Sequence, residues 1–154
     1  MDKQEILAFN GKHNKNEKNI SLIFPGLYLG NYRGALDQEK LTSMGISCIL
    51  NCGAADIVSK GNYMRFELED SWEANLLKVL PSATQYIHSH LSIGDKVYVH
   101  CKGGFSRSPS VIIAYLMEYK NFTFDEALQF VKKRRPSIKP NEGFISQLKS
   151  RKWY

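Results

Sequence analysis

The sequence predicts an α/β fold in which about five strands form a mainly parallel, twisted sheet with helices on both faces. Short runs rich in β-branched and aliphatic residues alternate along the chain with longer runs whose apolar residues recur every three or four positions. Strands that alternate with helices in this way form parallel sheets that are covered on both faces. A chain of 154 residues is long enough for one domain with a substantial core.

Composition indicates a globular protein. Apolar residues make up 43% of the chain and charged residues 23%. No apolar run approaches the ~18 residues of a membrane span, and we expect no signal peptide. Three cysteines do not make a disulfide framework, so we expect a reducing compartment, the cytoplasm, with the nucleus as the alternative.

The net charge of +6 leaves the type of partner open, because a basic surface suits nucleic acid, anionic lipid and phosphorylated substrates alike. The densest basic run is Lys132–Arg135. We expect it to close a helix, where cations meet the negative end of the helix dipole. A partner- or lipid-binding patch is the alternative.

The first 19 residues are expected to form a polar tail, and residues 20–154 the folded domain. The stretch Asn10–Asn19 carries no apolar side chain, which is typical of a solvated segment. The alternative is a kinase-docking role for Lys12, Lys15 and Lys18.

The first half of the domain is expected to hold four strands and one helix. Pro25-Gly26 marks a turn between the first two strands. Asp37 is a candidate N-cap for the helix, which directs Leu41 and Met44 inward and ends at Gly45. Alternating polar and apolar residues make the fourth strand half-buried. The strands are predicted at Ile20–Phe24, Leu27–Gly30, Ile46–Leu50 and Asn62–Leu68.

The second half is expected to hold the fifth strand, Asp95–His100, and four helices. Apolar residues from Leu76 to Leu91 share one face of a long helix, which Pro81 kinks or begins. Residues 109–119 are apolar nearly all round, which predicts a buried central helix. A capping box at Thr123–Glu126 opens the next helix. Pro140-Asn141 opens the last one.

The functional prediction rests on residues 97–108. An apolar run ends in His100-Cys101, a loop with two glycines follows, and Arg107 precedes a helix. This order surrounds one point with backbone N–H groups and a helix N-terminus, which together bind anions. We expect the Cys101 side chain to reach this point from the strand, and the Arg107 side chain, six positions later, to reach it from the helix. We call residues 102–107 the central loop.

These residue types suit attack on a phosphate ester. A helix N-terminus and a nearby guanidinium favour the reactive thiolate form of a cysteine. Loop N–H groups and the Arg107 fork can hold the phosphate oxygens. Gly103 and Gly104 permit the close approach of the backbone that such a loop needs. Ser108, at the helix start, can donate a hydrogen bond to the sulfur when it leaves.

The departing oxygen needs a proton, so an acid is expected on another loop. Asp70 is the best candidate because it follows the strand before the long helix, 31 positions before Cys101. The carboxyl ends of parallel strands meet at one edge of the sheet, where ligands bind. The rival acids are Glu67, Glu69 and Glu73.

Further segments accompany the pattern His-Cys, five residues, Arg-Ser. They are Leu27-Tyr28-Leu29-Gly30-Asn31, Gly45-Ile46, Ile49-Leu50-Asn51, Glu69-Asp70-Ser71, Ala114-Tyr115-Leu116-Met117, Arg134-Arg135-Pro136, Pro140-Asn141, Phe144 and Gln147-Leu148. With them the chain resembles, from about Ile20 to Trp153, a small (atypical) dual-specificity protein phosphatase of the cysteine-based protein tyrosine phosphatase superfamily. The series in this order is far more specific than the bare Cys–Arg spacing.

The resemblance implies a protein tyrosine phosphatase-like fold and hydrolysis of phosphotyrosine and phosphoserine or phosphothreonine in proteins. Cys101 would be the nucleophile and the phosphocysteine carrier, and Arg107 would stabilise the transition state. Asp70 would act first as acid and then as base, and Ser108 would ease departure of the thiolate. The further implied roles are tuning of the thiolate by His100, bracing of the central loop by Asn141, and phosphate binding by Lys102, Gly103, Gly104, Phe105, Ser106 and Arg107.

Cys52 ends the third strand at the edge of the sheet that carries Cys101. It is expected to be a small buried hydrophobe, or, as the resemblance implies for some relatives, a redox partner that forms a disulfide with Cys101. No metal and no cofactor are expected. Cys48, Cys52 and Cys101 together are too scattered to suggest a zinc site, and His88 and His90, two apart on a helix, do not face each other.

Two residues of the central loop depart from the family pattern. Gly103 stands where the family usually has Ala, and we expect it to loosen the loop by at most ~1 kcal/mol. Phe105 lies at the variable apex, where we expect it to pack beside the pocket and shape substrate choice. The chain is too short for the extra phosphotyrosine-recognition loop of larger relatives, which implies a shallower pocket.

Lys102 resembles a lysine of lipid-directed relatives, so a lipid phosphatase of the phosphoinositide type is the alternative function. A non-catalytic phosphate-binding module is a third, although such modules usually lose the cysteine, the arginine or the acid. The expected partners are phosphorylated proteins, a MAP kinase among the candidates, with no nucleic acid and no membrane span. The expected state is a monomer or weak dimer.

Overall fold

A five-stranded sheet forms the centre of the protein. The computed structural model describes residues 1–9, 18–54 and 61–151. The strands are β1 (Ile20–Phe24), β2 (Leu27–Gly30), β3 (Cys48–Asn51), β4 (Asn62–Arg65) and β5 (Val97–His100). Their spatial order is β1-β2-β5-β3-β4. β1 pairs antiparallel with β2 across the Pro25-Gly26 turn, and the other three pairings are parallel. The predicted mainly parallel sheet is confirmed.

Helices cover both faces of this sheet, as predicted. The helices are α1 (Lys3–Ala8), α2 (Tyr32–Leu36), α3 (Gln38–Ser43), α4 (Leu76–Ser92), α5 (Arg107–Lys120), α6 (Phe124–Arg134) and α7 (Glu142–Ser150). Successive strand residues point to opposite faces. Leu29, Leu50 and Val99 therefore pack in the larger core with residues of α1 and α4 to α7, whereas Tyr28 and Ile49 pack in the smaller core with residues of α2 and α3.

Local sequence signals place the helix ends. Asp37, Thr123 and Asn141 each accept a hydrogen bond from a backbone N–H of the helix that follows, and Thr123 forms the predicted capping box with Glu126. The helix predicted at residues 109–119 is α5, and its side chains from 108 to 117 are all buried. Among the described residues, no helix combines the length and apolar character needed to cross a membrane.

The predicted polar tail is wrong for residues 1–9. Asp2 and Glu5 form a capping box that starts α1, and Ile6 on this helix is fully buried in the larger core. Lys3 pairs with Glu126 of α6 at 2.9 Å. The buried Ile6 side chain and the Lys3–Glu126 ion pair hold the segment in place, although residues 1–19 as a whole are polar. Lys12 and Lys15 of the suggested kinase-docking segment lie outside the described residues, and Lys18 is exposed.

Two further elements differ from the prediction. The strand predicted at Asn62–Leu68 is shorter, because β4 ends at Arg65 and residues 66–69 continue without ladder pairing. β4 is an edge strand whose register with β3 ends where β3 ends, and the Phe66 N–H makes a last bond to the Asn51 carbonyl there. The short helix α2 was not predicted, although Asn31 caps it with a hydrogen bond to the Gly34 N–H.

Candidate active site

The candidate site lies at the carboxyl edge of the sheet, where β5 runs into the central loop. β5 is buried between β2 and β3, and its last residue, His100, is in register with Gly30 and Asn51, which end those neighbours. Cys101 follows directly, and α5 begins at Arg107. Three parallel strands therefore end around the central loop, and the N-terminus of a buried helix closes it from the other side. This is the anion-binding geometry that the sequence predicts.

The Cys101 sulfur lies among hydrogen-bonding groups, although the residue is only 2% exposed. The Gly104 backbone N–H donates to Sγ at 3.3 Å, and the Ser108 hydroxyl lies 3.1 Å from Sγ. Ser108 is also 3.4 Å from the Gly30 carbonyl. A thiolate at this position receives donors from the central loop and from the first turn of α5.

Arg107 reaches from the start of α5 toward the loops that follow β3 and β4. Its Nη1 donates to the carbonyl oxygens of Gly53 and Leu68, both at 3.0 Å. Gly53 has φ +110°, and a Cβ there would lie 2.5 Å from the Leu68 oxygen and 2.8 Å from Nη1. Glycine is required at this turn, because only its bare backbone lets the carbonyl contact the guanidinium. Two carbonyls thus fix one arm of the guanidinium fork.

Asp70 is held against the central loop by two donors. The Ser106 hydroxyl donates to Asp70 Oδ1 at 2.6 Å, and Asn141 Nδ2 donates to the same oxygen at 2.9 Å. The Asn141 backbone N–H in turn donates to Ser106 Oγ at 3.0 Å, while Asn141 Oδ1 caps α7 through the Phe144 N–H. Asn141 is therefore both the predicted cap and a link between Asp70 and the central loop.

The rival acids lie elsewhere. Glu67 pairs with Arg65 at 2.6 Å, and its side chain is 81% exposed. Glu69 and Glu73 are exposed as well. Of the acidic residues that the structure describes, Asp70 is the one with a hydrogen bond to a side chain of the central loop. The geometry therefore favours Asp70 over all three rivals.

His100 is buried beneath the central loop. Its Nδ1 lies 3.3 Å from the Cys101 carbonyl oxygen, and its ring stacks on Tyr98 at 5.4 Å between centroids. Burial lowers the pKa of His100 to about 4. Within the described part of the chain, its buried Nε2 has no hydrogen-bond partner. The imidazole is thus neutral near pH 7, and it supports the Cys101 backbone without adding a charge.

Arg135 also holds the central loop, and sequence reasoning missed it. Its Nε donates to the Gly104 carbonyl at 2.7 Å, and its Nη1 donates to Ser21 Oγ at 3.1 Å and to the Lys18 carbonyl at 3.0 Å. Burial lowers the pKa of this guanidinium, which is 4% exposed. The sequence predicts that the basic run Lys132–Arg135 closes a helix. That holds for Arg134, which donates to the Phe130 carbonyl, but Arg135 lies one residue past α6 and turns inward.

The Phe105 ring at the apex of the central loop explains why position 103 is a glycine. A Cβ there would lie 2.6 Å from Phe105 Cδ1 and would overlap Cε1. The Phe105 ring, with the residue 46% exposed, therefore lies directly on the Gly103 backbone. Gly104 has φ +73°, and a Cβ would come within 2.7 Å of the Gly30 backbone, so this position needs glycine on both counts. Lys102 is exposed, and its carbonyl accepts from the Tyr32 N–H.

Cys52 lies beside this site at the end of β3. It is fully buried, and its backbone N–H donates to the His100 carbonyl at 2.7 Å. Burial, with the neighbouring Cys101, raises the pKa of the Cys52 thiol. Cys52 is therefore a protonated thiol packed in the core next to Cys101.

Comparisons with known proteins agree with this arrangement. The family model described as "Dual specificity phosphatase, catalytic domain" matches residues 27–152. Tyrosine-protein phosphatase vhp-1 of Caenorhabditis elegans is 37% identical over 134 residues, which cover 84% of this chain and 20% of that protein. Human dual specificity protein phosphatase 8 is 37% identical over 133 residues, with 84% and 21% covered. The chain thus spans about a fifth of the length of these curated relatives.

Solved structures show the same similarity. The crystal structure of human tyrosine phosphatase-like serine/threonine/tyrosine-interacting protein matches with a TM-score of 0.79 at 31% identity, covering 86% of this chain and 94% of that one. Human DUSP28 matches with a TM-score of 0.78 at 31% identity, covering 84% and 89%. A mouse putative dual specificity phosphatase complexed with zinc tungstate gives 0.80 at 30% identity, covering 91% and 90%.

Proposed function

The chain belongs to the dual-specificity phosphatase family, and on this basis we propose that it hydrolyses phosphotyrosine and phosphoserine or phosphothreonine in proteins through a phosphocysteine intermediate on Cys101. The observation that carries this proposal is the position of the Cys101 sulfur. It lies at the N-terminus of buried α5, within reach of the Gly104 N–H and the Ser108 hydroxyl. That setting favours a thiolate beside an anion-binding loop.

In the first step, the Cys101 thiolate attacks the phosphorus atom. The S–P bond forms as the bond to the departing oxygen breaks, and Asp70 gives that oxygen its proton. Both donors to Asp70 use Oδ1, so we assign the transferred proton to Oδ2. The N–H groups of the central loop and the free arm of the Arg107 fork hold the non-bridging oxygens, whose charge grows in the transition state.

In the second step, water attacks the phosphocysteine. The Asp70 carboxylate takes a proton from the water, the S–P bond breaks, and inorganic phosphate leaves. The sulfur departs as a thiolate, and the Ser108 hydroxyl 3.1 Å away donates to it. A hydroxyl donates a stronger hydrogen bond to a thiolate than to the sulfur of phosphocysteine. The Ser108 hydroxyl therefore favours breakage of the S–P bond.

The test is turnover of a phosphotyrosine peptide and a matched phosphothreonine peptide. We expect Cys101→Ser to abolish release of phosphate from both. Cys48→Ser is the matched control, because Cys48 is a buried thiol at the opposite edge of the sheet, and this variant should retain turnover. Turnover by Cys101→Ser at the unaltered rate would refute the phosphocysteine mechanism.

We propose a protein rather than a lipid as the substrate. The relatives reported above are named as protein phosphatases or phosphatase-like proteins, and the apex of the central loop is the apolar Phe105. The exposed Lys102 is the feature that favours the lipid alternative. Rates on the two phosphopeptides and on vesicles that contain phosphoinositides, measured side by side, decide between them, and faster turnover of the lipid would overturn this assignment.

The physiological substrate can be identified with a variant that binds a phosphorylated protein but does not turn it over. Asp70→Ala removes the proton donor but leaves the phosphate-binding loop, so a phosphorylated partner should stay bound. We propose phosphorylated proteins as a class, with a MAP kinase among the candidates. Recovery of one phosphoprotein by Asp70→Ala, and its displacement by vanadate or phosphate, would support this class.

Cys52 is proposed as a redox partner of Cys101. Peroxide would oxidise the Cys101 thiolate to a sulfenic acid, and the Cys52 thiol would displace water from it to form a disulfide. Support comes from burial of Cys52 next to the site, with its N–H bonded to the carbonyl that precedes Cys101. Disulfide mapping after mild peroxide treatment tests this idea, and inactivation that leaves Cys52 unpaired would exclude it.

We also propose that the catalytic unit is residues 20–154 with α1 packed against it, and that the protein works in the cytoplasm or nucleus. The three free cysteines suit a reducing compartment. Fluorescent tagging of the full chain in cells tests the location.

A further inference from the structure

Three side chains of types that can bind a metal ion meet at the edge of the sheet opposite the candidate active site. Cys48 is the first residue of β3, His90 lies in the last turn of α4, and Asp95 lies two residues before β5. Their sulfur, ring nitrogen and carboxylate oxygen all lie within 4.8 Å of one another. β3 carries Cys48 at its start and Asn51 at its end, about 10 Å apart at the usual rise of a strand. The cluster is therefore separate from the central loop.

Two of the three distances within the cluster are close to those around a tetrahedral zinc ion, and the third, between Cys48 and His90, is within 4.8 Å. Asp95 Oδ2 is 3.7 Å from Cys48 Sγ and 2.9 Å from His90 Nδ1. With Zn–S near 2.3 Å and Zn–N and Zn–O near 2.0–2.1 Å, tetrahedral angles separate sulfur from oxygen by about 3.6 Å and nitrogen from oxygen by about 3.3 Å. The first distance already fits. The second needs the imidazole and carboxylate to open by about 0.4 Å.

We propose that Cys48, His90 and Asp95 form a binding site for Zn²⁺. The ion would take the place of the hydrogen atoms that now lie between these groups. The thiol proton passes to solvent, and the imidazole proton moves through solvent from Nδ1 to Nε2, so that the neutral ring binds the ion through Nδ1. Water completes the four-coordinate shell. A thiolate, an imidazole and a carboxylate together suit Zn²⁺, whereas Mg²⁺ and Ca²⁺ take oxygen ligands.

The surroundings permit entry of an ion and orient the ligands. The Cys48 residue is 1% exposed, but the side chains of His90 and Asp95 are 18% and 34% exposed. Asp95 also lines a surface cavity of about 440 Å³, so an ion can reach the carboxylate from solvent. The Tyr86 ring packs on His90 at 4.6 Å, and the Ser47 hydroxyl lies 3.7 Å from Cys48 Sγ. Such contacts fix the orientation of metal ligands.

Bound Zn²⁺ would connect three separate parts of the chain. The end of α4 and the starts of β3 and β5 are held to one another by the Asp95 contacts to His90 and Cys48. A bound ion replaces those contacts with metal bonds. An ion that binds the folded state alone raises the unfolding temperature.

The test uses Co²⁺ as a spectroscopic probe of the full chain. The parent protein is Cys101→Ser, so that the active-site thiol cannot bind the ion. We expect one equivalent of Co²⁺ to produce a sulfur-to-cobalt charge-transfer band together with the visible bands of tetrahedral cobalt. One equivalent of Zn²⁺ should remove them. Absence of the charge-transfer band in this parent would overturn the proposal.

Matched variants in the same parent identify the ligands. Cys48→Ser and His90→Gln should each abolish the charge-transfer band or weaken Zn²⁺ binding by more than about 100-fold, because loss of a ligand exceeds the 10–100-fold effect of an outer contact. Cys52→Ala and His88→Ala, the nearest thiol and imidazole along β3 and α4, should keep the band.

Thermal unfolding gives a second readout. His90 is partly exposed, so His90→Gln should fold as the parent does. Zn²⁺ should raise the unfolding temperature of the parent and of His88→Ala, and leave that of His90→Gln unchanged. A charge-transfer band that survives in Cys48→Ser, or equal stabilisation of all these variants by Zn²⁺, would exclude the site.

Discussion

Substitution of Gly103 by alanine should stabilise the protein when Phe105 is replaced by alanine, and should not stabilise it when Phe105 is present. Gly103 does not have a positive φ, so alanine can adopt its backbone conformation. The new Cβ would nevertheless overlap the Phe105 ring, since the Cδ1 atom lies 2.6 Å from that position. The ring is the exposed part of the apex, so we expect it to move while the loop backbone stays in place.

The magnitude follows from two opposing terms. Gly→Ala at a compatible position stabilises a protein by about 0.4–1 kcal/mol, because the unfolded chain has fewer conformations. Forcing an aromatic side chain away from its preferred rotamer costs about 0.5–1.5 kcal/mol. With Phe105 present the two terms nearly cancel or the strain prevails, whereas in Phe105→Ala only the stabilising term remains. We therefore expect a coupling energy of about 1 kcal/mol between the two positions.

The assay is denaturant unfolding of the wild type, Gly103→Ala, Phe105→Ala and the double variant. Phosphopeptide KM is measured in parallel, because a displaced ring also changes the apex of the pocket. Gly103→Ala should raise KM when Phe105 is present and leave it unchanged in Phe105→Ala. Additive unfolding energies within about 0.3–0.5 kcal/mol would show that the ring does not rest on Gly103.

Three other predictions address separate parts of the site. Asp70→Asn should lower kcat for a phosphothreonine peptide by about 10²–10⁴ and affect an aryl phosphate with an acidic phenol much less, because only the poor leaving group needs the proton; equal losses would contradict the role of acid. His100 is neutral in the folded state with a pKa of about 4 against 6.5 when unfolded, so the unfolded state binds the extra proton first and stability should fall as pH drops from 6.5 to 4. The loss amounts to about 3 kcal/mol relative to His100→Gln, measured by denaturant unfolding, and parallel pH profiles would refute it. Arg135→Met should lower the unfolding free energy by about 2–4 kcal/mol, because the buried Gly104 carbonyl loses its donor. Substitution of the exposed Lys133 by Met is the control. Equal unfolding free energies for the two variants would show that Arg135 does not stabilise the central loop.

The fold was largely predictable because its signals are local and agree with one another. Alternation of strand and helix patterns predicts the parallel sheet, and caps such as Thr123 and Asn141 begin helices where their side chains reach a backbone N–H. The polar composition of residues 1–19 as a whole predicts a tail, yet the buried side chain of Ile6 holds a helix near its start. An average over residues 1–19 hides the short apolar run Ile6–Phe9, and its packing depends on segments far away in the chain, as the contact from Lys3 to Glu126 illustrates.

The site was predictable where motif and strand end coincide, and less so where residues act through space. Cys101 and Arg107 lie in one short motif at the end of a strand. The choice of Asp70 rested on strand topology, and the structure adds its two donors from distant segments. Arg135 was not predicted because the three groups that it binds lie 31, 114 and 117 positions away. Basic residues at a helix end look alike in sequence, and only the turn after α6 directs this one inward.

The three cysteines show how position in the sheet, rather than residue type, determines what a thiol can do. Cys101 follows the central strand, where the Gly104 N–H and Ser108 hydroxyl donate to its sulfur and stabilise a thiolate. Cys52 directly follows the neighbouring strand inside the core, and burial raises the pKa of its thiol, so it stays protonated. Cys48 begins that same strand, and its sulfur faces a carboxylate, which opposes a free thiolate but favours a metal-bound one. The donors, the core and the carboxylate thus distinguish the three cysteines that we propose as nucleophile, redox partner and metal ligand.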